Sequence, residues 1–124
     1  MAKILVVEDD FTIADNLQAL LRVKGYQTLF AADGQAGVEL ARKEQPDIVL
    51  LDILLPKLGG FDVCRILKSD AKTKGIKIVM LTGLGRMGDV ETAFSAGAND
   101  YLIKPYDNER LLKKIEKVLS DGKQ

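Results

Sequence analysis

The sequence predicts an α/β domain built on a parallel sheet that is buried on both faces. Three observations predict it. Apolar runs of strand length alternate five times with stretches of helical periodicity. The runs are continuous rather than alternating polar and apolar, as in strands covered by helices above and below. Four of the five runs end in polar residues, on the rim where open parallel sheets hold their ligands.

The elements follow in order. The first strand, Lys3–Val7, is followed by Glu8, Asp9 and Asp10. In "FTIADNLQALLRVKG" the apolar positions Ile13, Leu17, Leu20 and Leu21 fall on one helical face, and Gly25 provides the stop. A second strand covers Thr28–Ala31. "DGQAGVELARKEQP" sets Val38, Leu40 and Ala41 in a helix that must end before Pro46. The third strand, Ile48–Leu51, delivers Asp52. Gly59 and Gly60 permit a turn into a third helix marked by Phe61, Cys64 and Leu67. Ile78–Leu81 is the fourth strand and leads to Thr82 and Gly83; Val90 and Phe94 mark a shorter helix. Tyr101–Ile103 is the fifth strand and ends at Lys104 and Pro105. "DNERLLKKIEKVL" closes the series, with Leu111, Leu112, Ile115, Val118 and Leu119 on one stripe and Lys113, Lys114 and Lys117 off it. No repeat, linker or low-complexity stretch interrupts the alternation, so residues 1–124 read as one domain.

Composition narrows the function. Lys plus Arg and Asp plus Glu number 18 each, which leaves no global basic footprint for nucleic acid. Histidine is absent, excluding histidine-dependent triads, His-ligated zinc and a phosphohistidine on this chain. Cys64 is the only cysteine, so no internal disulfide forms and a reducing compartment is expected. No apolar run is long enough for a signal peptide or a membrane span, and the expected location is cytoplasmic.

Asp52 poses the chemical question. It sits between Ile48–Leu51 and Ile53–Leu55, where an unpaired carboxylate is costly to desolvate. Singly, the rim residues have structural readings: Asp9 or Asp10 as a helix N-cap, Thr82 as a β-branched strand end, Lys104 as a solvated turn lysine. Together they converge on one end of four strands. Up to three carboxylates facing one lysine leave surplus negative charge, which suits a hard divalent cation, Mg2+ before zinc or copper. A metal and a lysine around a free aspartate suit phosphoryl transfer, with the aspartate as nucleophile.

"KILVVEDD", "DIVLLDILLPKLGGFDV", "VMLTG" and "GANDYLIKP" resemble the receiver domain of bacterial two-component response regulators, and the resemblance covers Lys3 to Leu119. It implies a doubly wound, flavodoxin-like sheet in order 2-1-3-4-5 with helices on both faces. It implies that Asp52 is the phospho-acceptor and that Asp9, Asp52 and the backbone carbonyl of Leu54 hold Mg2+, with Glu8 acting through water. Thr82 and Lys104 would meet the phosphoryl group, Thr82 and Tyr101 would form a switch, and the Lys104–Pro105 peptide would be cis. The donor would be a sensor histidine kinase, a phosphotransfer protein or a small phosphodonor. The output would run through helix 4, strand 5 and helix 5 to a downstream target, without direct nucleic-acid or membrane binding. Such a domain catalyses its own labelling and dephosphorylation but does not turn over substrate, and it occurs either as a stand-alone, chemotaxis-regulator-like form or as a part of a larger regulator. A docking ring for the donor would comprise Asp10, Thr12, Ile13, Asn16, Leu84, Pro105 and Tyr106.

Four positions depart from the family pattern: Glu8 for the commoner aspartate, Leu55 for methionine, Gly59 for aspartate and Gly83 for alanine. Two other chemistries fit less well. Glu8, Asp10 and Thr12 approximate the D-x-D-x-T pattern of haloacid-dehalogenase-type phosphatases, but glutamate stands where the nucleophile must be. A nucleotide- or flavin-binding module would need a glycine-rich loop after the first strand, and "VVEDDFT" has none.

Overall fold

The computed structural model of the protein describes residues 2–83 and 87–121; the side chains of residues 82, 87–89 and 121 lie outside that description. Strands and helices alternate throughout: β1 (Lys3–Val7), α1 (Phe11–Val23), β2 (Gln27–Ala31), α2 (Gly34–Glu44), β3 (Ile48–Asp52), α3 (Gly60–Ser69), β4 (Lys77–Thr82), α4 (Met87–Ser95), β5 (Asp100–Ile103) and α5 (Asn108–Asp121). The five strands form one parallel sheet in the order β2-β1-β3-β4-β5. This is the doubly wound arrangement the sequence predicts.

Period-two alternation within each strand divides the core in two. Ile4, Val6, Ile48, Leu50, Val79, Leu81 and Leu102 face α1 and α5, meeting Leu17, Leu21, Leu111, Ile115 and Val118. Leu5, Val7, Val49, Leu51, Ile78 and Met80 face α2, α3 and α4, meeting Val38, Ala41, Val63, Leu67 and Ala93. Cys64 belongs to this second layer. Burial pushes its thiol up to about 11, so it packs as a small apolar side chain.

Helix ends follow local chemistry. Asp10 caps α1, accepting from the N–H groups of Thr12 at 2.9 Å and Ile13 at 3.1 Å. Asp33 caps α2 through Ala36 N–H at 2.8 Å, and Asp107 accepts from Arg110 N–H at 2.8 Å. Gly25 follows the end of α1 with φ +91°, a conformation natural to glycine. Gln45 ends α2 in the left-handed region, directly before Pro46.

Strand boundaries correct the sequence reading by a residue or so. β2 starts at Gln27, β4 runs from Lys77 through Thr82, β5 begins at Asp100, and β3 includes Asp52. The ladder continues through polar residues because the neighbouring strand supplies hydrogen bonds whatever the side chain. Register then sets the site: Val7 is level with Leu51, and Asp52 with Leu81. Glu8 and Asp9 therefore emerge beside Asp52.

Candidate functional site

The carboxyl groups of Glu8, Asp9 and Asp52 each present an oxygen within 4.8 Å of the others. Glu8 is only 2% exposed and Asp52 9%, while Asp9 is open to solvent. Lys104 Nζ lies 3.3 Å from Asp52 Oδ2, bringing the end of β5 to the end of β3. Leu54 N–H points at Asp52 Oδ1 over a long 3.4 Å, and the Leu54 side chain is exposed. Three carboxylates thus face one ammonium group.

Glu8 is the strained member electrostatically. Its Oε1 accepts from Asp10 N–H at 3.1 Å, but Oε2 is buried and has no hydrogen-bond partner among the described residues. Burial raises its carboxyl to about 7, the charge of Asp52 adds to the rise, and Asp10 N–H and Lys104 oppose it. Tyr106 lies nearby, its hydroxyl pushed up by burial and then by the charges of Glu8 and Asp52. An orphaned buried carboxylate oxygen within an all-oxygen cluster fits a hard divalent cation such as Mg2+.

The other predicted residues distribute as follows. Asp10 stands outside the carboxylate cluster as the α1 cap, so of the three acids after β1 only Glu8 and Asp9 belong to it. The backbone of Thr82 pairs level with Ile103, but its side chain, like the whole of Leu84, lies outside the described residues. The Lys104–Pro105 peptide is cis. Tyr101 is half-buried on the α4 side of β5. Its ring meets Phe94 edge-on at 5.6 Å, with Lys114 Nζ 5.6 Å from the ring centre. Beside the cluster, Ile13, Asn16, Leu17 and Leu20 of α1 form a groove of about 660 Å³ with Lys104, Pro105, Tyr106 and Asn108. Ile13 is 39% exposed there, which makes it a surface residue rather than a core one.

Two supports of the site escaped the sequence reading. Gly60 sits so close to β3 that a methyl group there would collide with the carbonyl oxygen of Asp52. Lys57, at φ +68°, reaches Asp33 at 3.5 Å and ties the β3–α3 loop to the start of α2. A glycine pair signals a turn, but only coordinates distinguish the glycine that is packed from the one that is free. Nothing in the spacing signals the Lys57–Asp33 pair.

Comparison with known proteins agrees with this geometry. The response regulator receiver domain family matches residues 4–116. The chain is 45% identical to protein PilH of Pseudomonas aeruginosa, over 97% of this chain and 99% of PilH. It is 42% identical to the DNA-binding dual master transcriptional regulator RpaA of Synechocystis sp., over 96% of this chain but 49% of that protein, and so spans about half of it. Among solved structures, the receiver domain of sensor histidine kinase PA1611 from P. aeruginosa, with a magnesium ion coordinated in its active-site cleft, superposes with a TM-score of 0.88. That domain is 32% identical, and the match covers 96% of this chain and 98% of its own. Among the described residues, no helix is long and apolar enough to cross a membrane. The chain belongs to the response regulator receiver domain family of two-component systems, whose role is phosphorylation-activated signalling.

Proposed function

We propose that the protein receives a phosphoryl group on Asp52 from a phosphohistidine of a sensor kinase or phosphotransfer protein. An Asp52 carboxylate oxygen attacks phosphorus, the P–N bond breaks, the electron pair leaves with the imidazole, and an acyl phosphate remains. The observation that carries this reading is the cluster itself, three carboxylates within 4.8 Å with Lys104 at 3.3 Å from Asp52. Asp9, Asp52 and the Leu54 carbonyl would hold Mg2+, with Glu8 acting through water. Bound there, the ion supplies charge neutralisation to the transferring group. Lys104 exchanges its contact with Asp52 for one with the phosphoryl oxygens, and the Thr82 hydroxyl donates to them.

Residues 1–124 act as one cytoplasmic unit that is labelled once and then decays, so it is a signalling domain rather than a turnover enzyme. The groove between α1 and the β5–α5 loop suits the donor, with Asp10, Thr12, Ile13, Asn16, Pro105 and Tyr106 in contact. The output passes through Thr82 and Tyr101 to α4, β5 and α5 and from there to a protein target. Acetyl phosphate with Mg2+ should add the mass of one phosphoryl group, and Asp52→Asn should abolish the addition. Full labelling of that variant would show that another residue accepts the group.

A further inference from the structure

The parallel sheet has two edges, β2 and β5, and they differ in kind. β5 carries Asp100, held by Lys114 at 3.2 Å, and runs out at Lys104 and Pro105, so charge and a proline guard it. β2 reads QTLFA, without a charge or a proline, and none of Gln27–Phe30 is buried. We propose that this edge is an interface between two copies of the chain, paired β2 to β2 and antiparallel about a two-fold axis. One continuous sheet would then run through both copies.

Backbone direction sets which residues can pair. Gln27 N–H donates to the Ala2 carbonyl at 2.9 Å and Glu8 N–H to the Ala31 carbonyl at 3.1 Å. The odd-numbered residues of β2 therefore turn their polar groups toward β1, and Thr28 and Phe30 turn theirs outward. With the axis at Leu29, Thr28 of each copy lies opposite Phe30 of the other and exchanges both backbone hydrogen bonds with it. That sets an aromatic ring beside a β-branched side chain on the α1 side of the sheet, a favourable cross-strand pair. On the other side the two Leu29 side chains meet at the axis, beside the layer of α2.

Charge favours the antiparallel choice. Arg22 and Lys24 stand before β2 and make no ion pair among the described residues, while Asp33 stands just after it. Asp33 meets Lys57 at 3.5 Å, but that lysine is 67% exposed and leaves the carboxylate acceptor sites to spare. Antiparallel pairing lays the basic end of each β2 beside the acidic end of the other, whereas parallel pairing would set cation against cation. On α1, Phe11 meets the Phe30 ring at 5.5 Å yet is 63% exposed, and Arg22 reaches Thr28 at 3.0 Å. The axis turns Phe11 of one copy toward the Arg22 end of the other, a ring and a guanidinium that suit each other. With 18 basic and 18 acidic residues, the copies carry no net charge to hold them apart. The strands of the two copies run in opposite directions, so both Asp52 rims and both β5 edges stay open.

The test is sedimentation equilibrium of the unphosphorylated protein, joined to cross-linking that reads the register. The weight-average mass should climb toward that of a dimer between about 10 µM and about 1 mM. Thr28→Pro removes an outward N–H without touching the ladder to β1, and should raise the half-dissociation concentration about tenfold. Asp52→Asn should associate like the native chain, so failure of the acceptor assignment leaves this result standing. In a Cys64→Ala background treated with oxidised glutathione, Leu29→Cys should form a disulfide-linked dimer, because residues opposed at the axis bring their Cα atoms to about 4.5 Å. Ile103→Cys, on the other edge, should stay largely unlinked. A chain that remains monomeric to about 1 mM, or faster linkage through Ile103→Cys than through Leu29→Cys, would overturn the proposal. Should Thr28→Pro lose the native far-ultraviolet circular dichroism, Lys24→Glu decides, since it sets acid beside Asp33 and should weaken association about threefold. Association unchanged by Lys24→Glu would then count against the antiparallel pairing and overturn it.

Discussion

At Glu8 the chain places a carboxyl group one residue beyond β1, where the parallel register brings it level with Asp52 and seals it from water. The sequence marks Glu8 as a longer arm than the usual aspartate, but its orphaned oxygen arises from packing that no local pattern encodes. The folded carboxyl titrates at about 7, above its ordinary 4.5, chiefly through burial. Its favourable contribution is therefore fully present below about pH 4.5 and is lost as pH rises through 7. Metal-free protein should lose stability between pH 5 and 8 by on the order of 3 kcal/mol, read from urea midpoints. Glu8→Gln should flatten that slope, since its amide does not ionise. Asp33 and Asp70, held low mainly by backbone N–H donors, act in the opposite sense at acid pH and fall outside this window. A cation favours the ionised carboxylate, so Mg2+ should stabilise the protein more at pH 8 than at pH 5.5. An unaltered slope in Glu8→Gln would assign the pH dependence to another group.

Among the elements, all ten were legible from apolar periodicity, and their order from the strand-end chemistry that carried the family resemblance. Strand ends were less legible, because a ladder extends as far as its partner supplies hydrogen bonds, which is how Asp52 and Thr82 come to lie inside β3 and β4. The β3–α3 loop illustrates the same limit. Leu58 N–H bonds Pro56 carbonyl at 2.8 Å around Lys57, a three-residue turn with positive φ at its centre. The loop then packs onto the start of α2, where a methyl on Gly34 would strike the Leu58 carbonyl. In sequence, Gly59 and Gly60 are equivalent turn residues. In space they are not: a methyl on Gly59 would meet nothing nearer than Ile53 carbonyl at 4.0 Å, whereas one on Gly60 would clash with Asp52 carbonyl and lie 2.8 Å from Ile53 Cα. Those obstacles are backbone and cannot swing away. Gly60→Ala should cost about 2 to 4 kcal/mol in urea unfolding and weaken Mg2+ binding by displacing Asp52, while Gly59→Ala should be near neutral. Similar losses in both variants would mean that turn flexibility, not close approach, is what the pair provides.

For the whole molecule, the proposed switch couples the rim to the face of α4, β5 and α5. Register sets Tyr101 level with Met80 and Ile103 level with Thr82, so the ring lies two residues down β5 from the residue opposite Thr82. Phe94 and Lys114 hold that ring from two helices, giving it contacts to exchange with both. A phosphoryl group on Asp52 brings about two negative charges. It shifts the molecule only by its differential affinity for two arrangements of this face, so the response should be graded in partial variants. The three tyrosines make a built-in comparison. Burial, and then the charges of Glu8 and Asp52, raise the Tyr106 hydroxyl; Tyr26 precedes β2, at the opposite edge of the sheet; Tyr101 lies on the proposed output face. With fluorotyrosine incorporated, beryllofluoride and Mg2+ should move the Tyr106 resonance by direct charge, leave Tyr26 in place, and move Tyr101 only if the face rearranges. Thr82→Ala should retain the Tyr106 shift and lose much of the Tyr101 shift. A Tyr106 response with Tyr101 fixed in the native protein would mean that the site fills without switching this surface, and the output would then have to leave by the groove between α1 and the β5–α5 loop.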